Sequence, residues 1–267
     1  MPELPEVQTV LDGFTTALKG RRVTSLTGLY PGTLIIDPEI TDEVFPARIT
    51  CAERRGKYML FCLDSGYRMI IHLRMTGKLV YNPTPEEYGK HERARFELED
   101  GTAVHFIDPR TFGKITLCAT ENLAKFMPEL GAEPLSKEFT QEYCRSRFAG
   151  KKQPIKTALL DQRIVAGLGN IYVCELLYRC GIDPRRPAKD ISDKELQGIV
   201  RHTVEVLNEA IANNGTSISD FRSIDDKTGG FQDFLRVYQK KQCPKGHDIA
   251  NVRLGGRSSF YCPVCQK

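Results

Sequence analysis

The sequence predicts an α+β fold: an antiparallel β-sandwich led by one helix, then a helical domain, then a short cysteine-bearing β-hairpin. Three observations carry this prediction. Val7, Val10, Leu11, Phe14 and Leu18 recur at helical spacing before Gly20. From about Arg22 to Leu117 the pattern changes to short strand-like runs divided by turn residues. Beyond about Leu130 helical periodicity returns, and it holds until Thr228-Gly229-Gly230 breaks it.

Taken in order, the first element is a helix over residues 3–19 that stops at Gly20. Strands follow at 58–63 (YMLFCL), 68–73 (RMIIHL), 94–100 (ARFELED), 103–108 (AVHFID) and 114–118 (KITLC). Asp64-Ser65-Gly66 and Asp100-Gly101 supply tight turns between them, the signature of antiparallel neighbours in a sandwich or barrel. LGAEPLSK, at 130–137, reads as a linker. Helices are then predicted over 138–148, 154–161, 170–179 and 192–213, the last opened by a capping box of Ser192 and Glu195.

Composition narrows the class. With 267 residues, 27% charged and 40% hydrophobic, the chain can bury a core without covalent staples and is not globally disordered. No apolar run is long enough for a membrane-spanning helix, and MPELPEVQTV lacks the basic and apolar regions of a secretory signal. A cytoplasmic location is expected. Cys51, Cys62, Cys118, Cys144, Cys174 and Cys180 sit singly in apolar stretches and read as small core residues. The net charge of +4 is modest, but its distribution is uneven. Residues 145–163 hold six basic side chains against Asp161 alone, and residues 231–267 hold seven against Asp233 and Asp248. Two basic clusters on an otherwise acidic chain suit a polyanionic partner.

The tail reads Cys243-x3-His247-x14-Cys262-x2-Cys265. Two thiolates two residues apart can grip one tetrahedral ion, and a third sulfur with an imidazole completes a closed site. Zn2+ is the expected metal, in a structural role because no coordination position is left open. The intervening NVRLGGRSSFYC alternates like a hairpin with Gly255-Gly256 near its tip.

Gly167-Leu168-Gly169-Asn170 lies between two predicted helices. Asn170 suits an N-cap, and a helix start of this kind presents free N–H groups to an anion, with Lys156 in the flanking basic cluster.

Met1-Pro2 is the most informative dipeptide. A small second residue permits removal of the initiator methionine, which leaves Pro2 as a free secondary amine. With the usual α-amino pKa, about 10–20% of such an amine is unprotonated at pH 7, against well under about 0.1% of a lysine. A secondary amine attacking an aldehyde carbon gives an iminium ion, an electron sink that drives elimination at neighbouring carbons. Glu3 and Glu6 follow on one face of the first helical turn, where they can move protons beside the amine or simply complement the helix dipole.

As a set, MPELPEV at the start, RRGKY at 54–58, HLRMTG at 72–77, DPRTFG at 108–113, GLGNIY at 167–172 and the terminal GRSSFYCPVCQK resemble the bacterial formamidopyrimidine-DNA glycosylases. The motifs occur in the family order from Met1 to Lys267. The resemblance implies a base-excision repair enzyme, a bifunctional DNA glycosylase and AP lyase that removes oxidised purines such as 8-oxoguanine and formamidopyrimidines from double-stranded DNA. It implies three parts: a catalytic β-sandwich domain at 1–133, a helix-two-turn-helix domain at 134–230, and a zinc-finger β-hairpin at 231–267. Pro2 would attack C1′ and form a Schiff base, and β- and δ-elimination would then cut the strand. Glu3 matches the family's acid at the sugar ring oxygen, Glu6 a supporting carboxylate, and Lys57 a lysine needed for base excision.

A glycosylase of this kind takes its target base out of the stack. The resemblance assigns the filling of the resulting hole to Met75, Arg110 and Phe112. It assigns phosphate or other DNA contacts to Lys156, Asn170, Arg257, His72 and His91. Residues 216–231 fall where the family carries a mobile loop that closes over the everted base. One departure concerns the finger, which in the family holds four cysteines. Here Gly246 occupies the place of the second and His247 comes one position later, so Cys243, His247, Cys262 and Cys265 would form a Cys3His site. A monomer acting without a membrane is expected. The alternatives are an endonuclease VIII-like glycosylase for oxidised pyrimidines, which Leu4 and the Met75, Arg110 and Phe112 set argue against, and a catalytically silent helix-two-turn-helix DNA-binding protein.

Overall fold

The computed structural model describes residues 1–82, 89–217, 223–225 and 227–267. The first helix, α1 (Leu4–Leu18), buries the apolar stripe that its sequence spaces at helical intervals. Nine strands follow among the described residues: β1 (Val23–Gly28), β2 (Leu34–Ile36), β3 (Ile49–Arg55), β4 (Tyr58–Leu63), β5 (Tyr67–His72), β6 (Lys78–Tyr81), β7 (Glu92–Leu98), β8 (Ala103–Ile107) and β9 (Lys114–Ala119). They form a four-stranded sheet in the order β1-β7-β8-β6 and a five-stranded sheet in the order β2-β9-β5-β4-β3. Every pairing is antiparallel except β2 with β9, which is parallel. The α+β expectation and the leading sandwich are thus observed.

The sandwich core gathers on Phe14 of α1. Its ring meets Phe61 of β4 at 5.1 Å and Phe96 of β7 at 5.4 Å, both edge-on, so one aromatic touches a strand of each sheet. This fixes where the N-terminal turn of α1 emerges. The five strands read from the sequence all form, with ends shifted by a residue or two, but β1, β2, β3 and β6 had no clear signal. β1 and β3 lie at sheet edges with mixed exposure, so neither an alternating nor a continuous apolar run marks them.

The cysteine reading needs a correction. Cys51 and Cys62 are not separate core residues: they oppose each other across β3 and β4 and are joined as a disulfide. A single-residue scan misses this because pairing depends on register between two strands, which brings directly opposed Cβ atoms within reach. Cys118, Cys144 and Cys174 are buried as expected.

A short helix, α2 (Leu123–Phe126), precedes α3 (Gln141–Phe148), α4 (Ile155–Leu160), α5 (Asn170–Cys180) and α6 (Asp193–Ala212). The capping box of α6 is present: the Ser192 N–H donates to Glu195 at 2.9 Å and the Glu195 N–H donates to Ser192 Oγ at 3.4 Å. Two strands, β10 (Ala250–Leu254) and β11 (Arg257–Tyr261), close the chain as an antiparallel hairpin. Gly255 (φ 53°) and Gly256 (φ 77°) make its tip, a pair of positive φ values that suits the twist of a two-residue hairpin.

The chain forms two compact units, Met1–Pro128 with Asn213–Gly230 and Glu129–Ala212 with Phe231–Lys267. The 213–230 segment returns to the first unit through named contacts. The Tyr81 N–H donates to the Ile224 carbonyl at 3.1 Å, and the Thr216 N–H donates to Glu6. Of the loop expected at 216–231, residues 218–222 and 226 lie outside the described residues. Among the described residues no helix is long and apolar enough to cross a membrane.

Candidate active site and nucleic-acid-binding surfaces

The start of the chain is folded inward. Pro2, Glu3 and Glu6 are all buried, whereas Met1 stands 45% exposed. Glu6 lies in the first turn of α1 and turns its carboxylate back: Oε2 accepts the Glu3 N–H at 2.8 Å and Oε1 accepts the Thr216 N–H at 2.8 Å. One carboxylate therefore ties the chain start to the root of the 213–230 segment. Burial of two carboxylates here is costly without such donors, which makes a helix-dipole role alone an insufficient account of Glu6.

Lys57 sits at the turn between β3 and β4 and is 5% exposed. His72, at the end of β5, packs edge-on against Tyr58 at 4.3 Å, and its Nδ1 accepts the Arg74 N–H at 2.9 Å. Burial, followed by the positive charges of Arg74 and Lys57, pushes the His72 imidazole down to about 3. At neutral pH it is an uncharged ring, so any phosphate contact it makes is a hydrogen bond and not an ion pair. The same shift has a stability consequence. A histidine that stays neutral when folded but protonates at its ordinary 6.5 when unfolded favours unfolding as pH falls through 6.5 toward 3. Lowering the pH from 6.5 to 5 is expected to cost up to about 2 kcal/mol at this residue. Thermal unfolding of the protein and of His72→Gln at both pH values checks it: the variant should show the smaller difference.

Two loops present the side chains expected to fill a hole in DNA. Met75 is 41% exposed and Phe112 48% exposed, and the Arg110 guanidinium stacks over the Phe112 ring at 5.0 Å. Large apolar side chains left in solvent at loop tips are the feature that a core assignment cannot explain. His91 ends a short 3-10 turn, half-buried, with a buried Nδ1 that has no hydrogen-bond partner among the described residues.

The second unit carries the remaining predicted residues. Asn170 is the first residue of α5 and not its cap; Gly169 takes the cap position. The side chain instead reaches the hairpin, where Nδ2 donates to the Ser258 carbonyl at 2.9 Å. Lys156 is fully buried, and its Nζ donates to the Ser258 carbonyl at 2.9 Å and to Ser259 Oγ at 2.6 Å. The expected flanking cation is thus an internal brace between α4 and β11, which its place in a basic sequence cluster did not reveal. Arg257 is exposed beside the hairpin tip, as expected.

The four tail residues converge. The candidate ligand atoms of Cys243, His247, Cys262 and Cys265 all lie within 4.8 Å of one another, and His247 Nδ1 is 3.6 Å from Cys243 Sγ and 3.3 Å from Cys265 Sγ. Ligand atoms around a tetrahedral ion with bonds of about 2.0–2.3 Å are spaced about 3.3–3.8 Å apart, so this cluster could hold a metal ion. Burial raises the Cys243 thiol, but N–H groups of Lys245 and His247, with Tyr178 and Cys262, outweigh it and bring it to about 6. That favours the thiolate a metal requires.

Sequence reasoning missed the supporting groups. Gln266 accepts the Cys262 N–H at 2.7 Å and donates to the Ile182 carbonyl at 2.8 Å. Glu175, wholly buried in α5, accepts the N–H groups of Arg236, Val237 and Tyr238 at 2.8, 3.0 and 2.9 Å, holding the approach to the tail. The Ile182 partner of Gln266 and the three amides held by Glu175 are distant in sequence, so no local pattern marks them.

Residues 1–115 match the family model described as the formamidopyrimidine-DNA glycosylase N-terminal domain, and residues 130–222 match the formamidopyrimidine-DNA glycosylase H2TH domain. The formamidopyrimidine-DNA glycosylase of Pelotomaculum thermopropionicum is 41% identical over 275 residues, covering 100% of this chain and 99% of that protein. The crystal structure of MutM (Fpg) from Thermus thermophilus superposes with a TM-score of 0.88 at 34% identity, over 99% of this chain and 98% of that one. A Lactococcus lactis Fpg variant in complex with a Fapy-dG-containing DNA superposes with a TM-score of 0.91 at 30% identity, over the whole of both chains.

Proposed function

The chain belongs to the formamidopyrimidine-DNA glycosylase family, and we propose that its excision of oxidised purines runs through the Pro2 nitrogen. The enzyme is a DNA glycosylase with AP lyase activity. Once Met1 is removed, the Pro2 lone pair attacks C1′ of the damaged nucleotide, and the bond to the base breaks with its electrons leaving on the base. The attached nitrogen loses its proton, and its lone pair then opens the C1′–O4′ bond as Glu3 gives a proton to the sugar ring oxygen, which leaves an iminium ion. Loss of a proton from C2′ then expels the 3′ phosphate, and a second elimination expels the 5′ phosphate. Lys57 serves base excision beside this centre. Glu6 holds the amine end of α1 in place. The observation that carries this reading is the buried Pro2-Glu3-Glu6 start, with Glu6 fastened to both Glu3 and Thr216.

Met75, Arg110 and Phe112 fill the void left by the everted base, and His72, His91, Asn170 and Arg257 contact the damaged duplex. The enzyme works as a monomer. Cys243, His247, Cys262 and Cys265 hold one Zn2+, which cross-links the tail and leaves the reaction to the first unit. Borohydride trapping on a duplex carrying 8-oxoguanine, with intact mass measured on the same preparation, tests the reading. Protein lacking Met1 is expected to form a covalent adduct, and its failure to do so overturns the nucleophile. Faster excision of thymine glycol than of 8-oxoguanine would favour the endonuclease VIII-like alternative.

The buried position of Lys156 has its own consequence. Arg257→Ala should lower the salt dependence of duplex binding by about one counterion. Lys156→Met should weaken binding through the hairpin while leaving that slope unchanged, because its ammonium already belongs to Ser258 and Ser259. Titrations across a range of salt concentrations separate the two.

A further inference from the structure

We propose that Asp108 is the positioning residue that locks the Met75 loop to the Arg110–Phe112 loop, so that the three side chains enter DNA as one preset wedge. This rests on the reading above of those three residues as void fillers. Asp108 is 0% exposed, yet no ion pair accounts for it among the described residues. Its partners are instead the backbone and one hydroxyl. Oδ1 accepts the Arg110 N–H at 3.1 Å and the Thr76 hydroxyl, and Oδ2 accepts the Gly113 N–H at 2.7 Å. Thr76 follows Met75, and Arg110 and Gly113 bracket Phe112. One carboxylate therefore holds both loops.

The main chain of Asp108 is fixed as firmly. Its N–H donates to the His91 carbonyl at 2.9 Å, and its carbonyl accepts Arg93 Nε at 2.8 Å. The loops it grips are not relaxed. Arg74 (φ 55°) and Thr111 (φ 62°), each directly before a wedge residue, lie in the left-handed region, which is unfavourable for Arg and more so for β-branched Thr. Such conformations persist only where surrounding contacts over-determine them. Gly113 belongs to the same device, since a Cβ there would come within 2.3 Å of the Phe106 ring and 3.2 Å of Asp108 Oδ2.

The chemistry selects a carboxylate. Three donors converge on two oxygens, and asparagine offers only one oxygen, so its NH2 group must face either Gly113 N–H or the Thr76 and Arg110 donors. Asp108→Asn should release one loop without removing a wedge side chain. Thr76→Val cuts only the bond between the loops and preserves shape.

The test compares two reactions in the full-length protein. Single-turnover excision of 8-oxoguanine from a duplex requires a wedge, whereas borohydride trapping on a single-stranded abasic oligonucleotide leaves no void to fill. Asp108→Asn is expected to slow the first by about 10- to 100-fold, and Thr76→Val by several-fold, while trapping stays within about twofold of wild type. The fluorescence rise of 2-aminopurine placed beside the lesion, which reports unstacking, should slow in parallel. Met75→Ala is run beside them. If it excises normally, the wedge reading falls and the inference with it. If Met75→Ala is slow but Asp108→Asn is normal, the inference alone is overturned. Equal losses in both reactions of Asp108→Asn would mark Asp108 as a folding residue only, and would also overturn it.

Discussion

Replacing Pro2 by leucine is expected to abolish the covalent adduct and to lower base excision by at least about 10^4-fold. A bulky second residue retains Met1, and the residue-2 nitrogen then becomes an amide with no lone pair to offer C1′. The loss should be chemical and not structural. Pro2 precedes α1, which starts at Leu4, so the substitution leaves the helical hydrogen bonds and the Phe14 contacts untouched. Thermal unfolding should confirm that the fold is kept. Glu3→Gln is the informative partner, because it keeps the amine and removes the acid. Its adduct on a lesion duplex should form about 10²- to 10⁴-fold more slowly, because the trapped iminium arises only when the ring oxygen is protonated, whereas an abasic aldehyde, already ring-opened, should still be trapped. An adduct from the Met1-retaining leucine variant would move the nucleophile elsewhere, with buried Lys57 the first residue to examine.

The second large effect concerns the tail. Cys262→Ser, or removal of the ion by a strong chelator, should weaken duplex binding by about 10²- to 10³-fold and lower the melting temperature. A two-stranded hairpin is marginal by itself, and a structural zinc site supplies apparent folding energy on the order of 10 kcal/mol. The apolar cluster beneath it is small, with Cys174, Tyr178, Val237, Cys243 and Cys262 as its buried members. β11 also carries what other residues depend on: Ser258 receives Asn170 and Lys156, Ser259 receives Lys156, and Arg257 stands at its start. Losing the ion should thus disturb Arg257 and Asn170, the two positions proposed to contact the duplex, together with the Lys156 brace. Metal content measured alongside binding decides the matter. Equal binding and melting by metal-free protein would mean that packing alone holds the tail.

Much of the candidate site was legible locally. Pro2, Glu3 and Glu6 are close neighbours in sequence, and the spacing of Cys262 and Cys265 is itself a ligand geometry. The exposed Met75 and Phe112 were legible as loop tips once the motifs around them were known. What stayed hidden were partners distant in sequence. Glu6 with Thr216, Lys156 with Ser258, Glu175 with the amides of 236–238, and Asp108 with Thr76 are all contacts that no window contains.

The sequence by itself determined the succession of sandwich, helical part and hairpin, the proline and glutamates at the chain start, and the donor set of the tail, because periodicity and short spacings act within one segment. Only the tertiary structure decided what each charged residue faces. Lys156 was expected to meet phosphate and is a buried brace, while Cys51 and Cys62 were expected in the core and are paired across two strands. The physical reason is common to both. Burial and partnership follow from strand register and helix packing, which depend on residues far away along the chain.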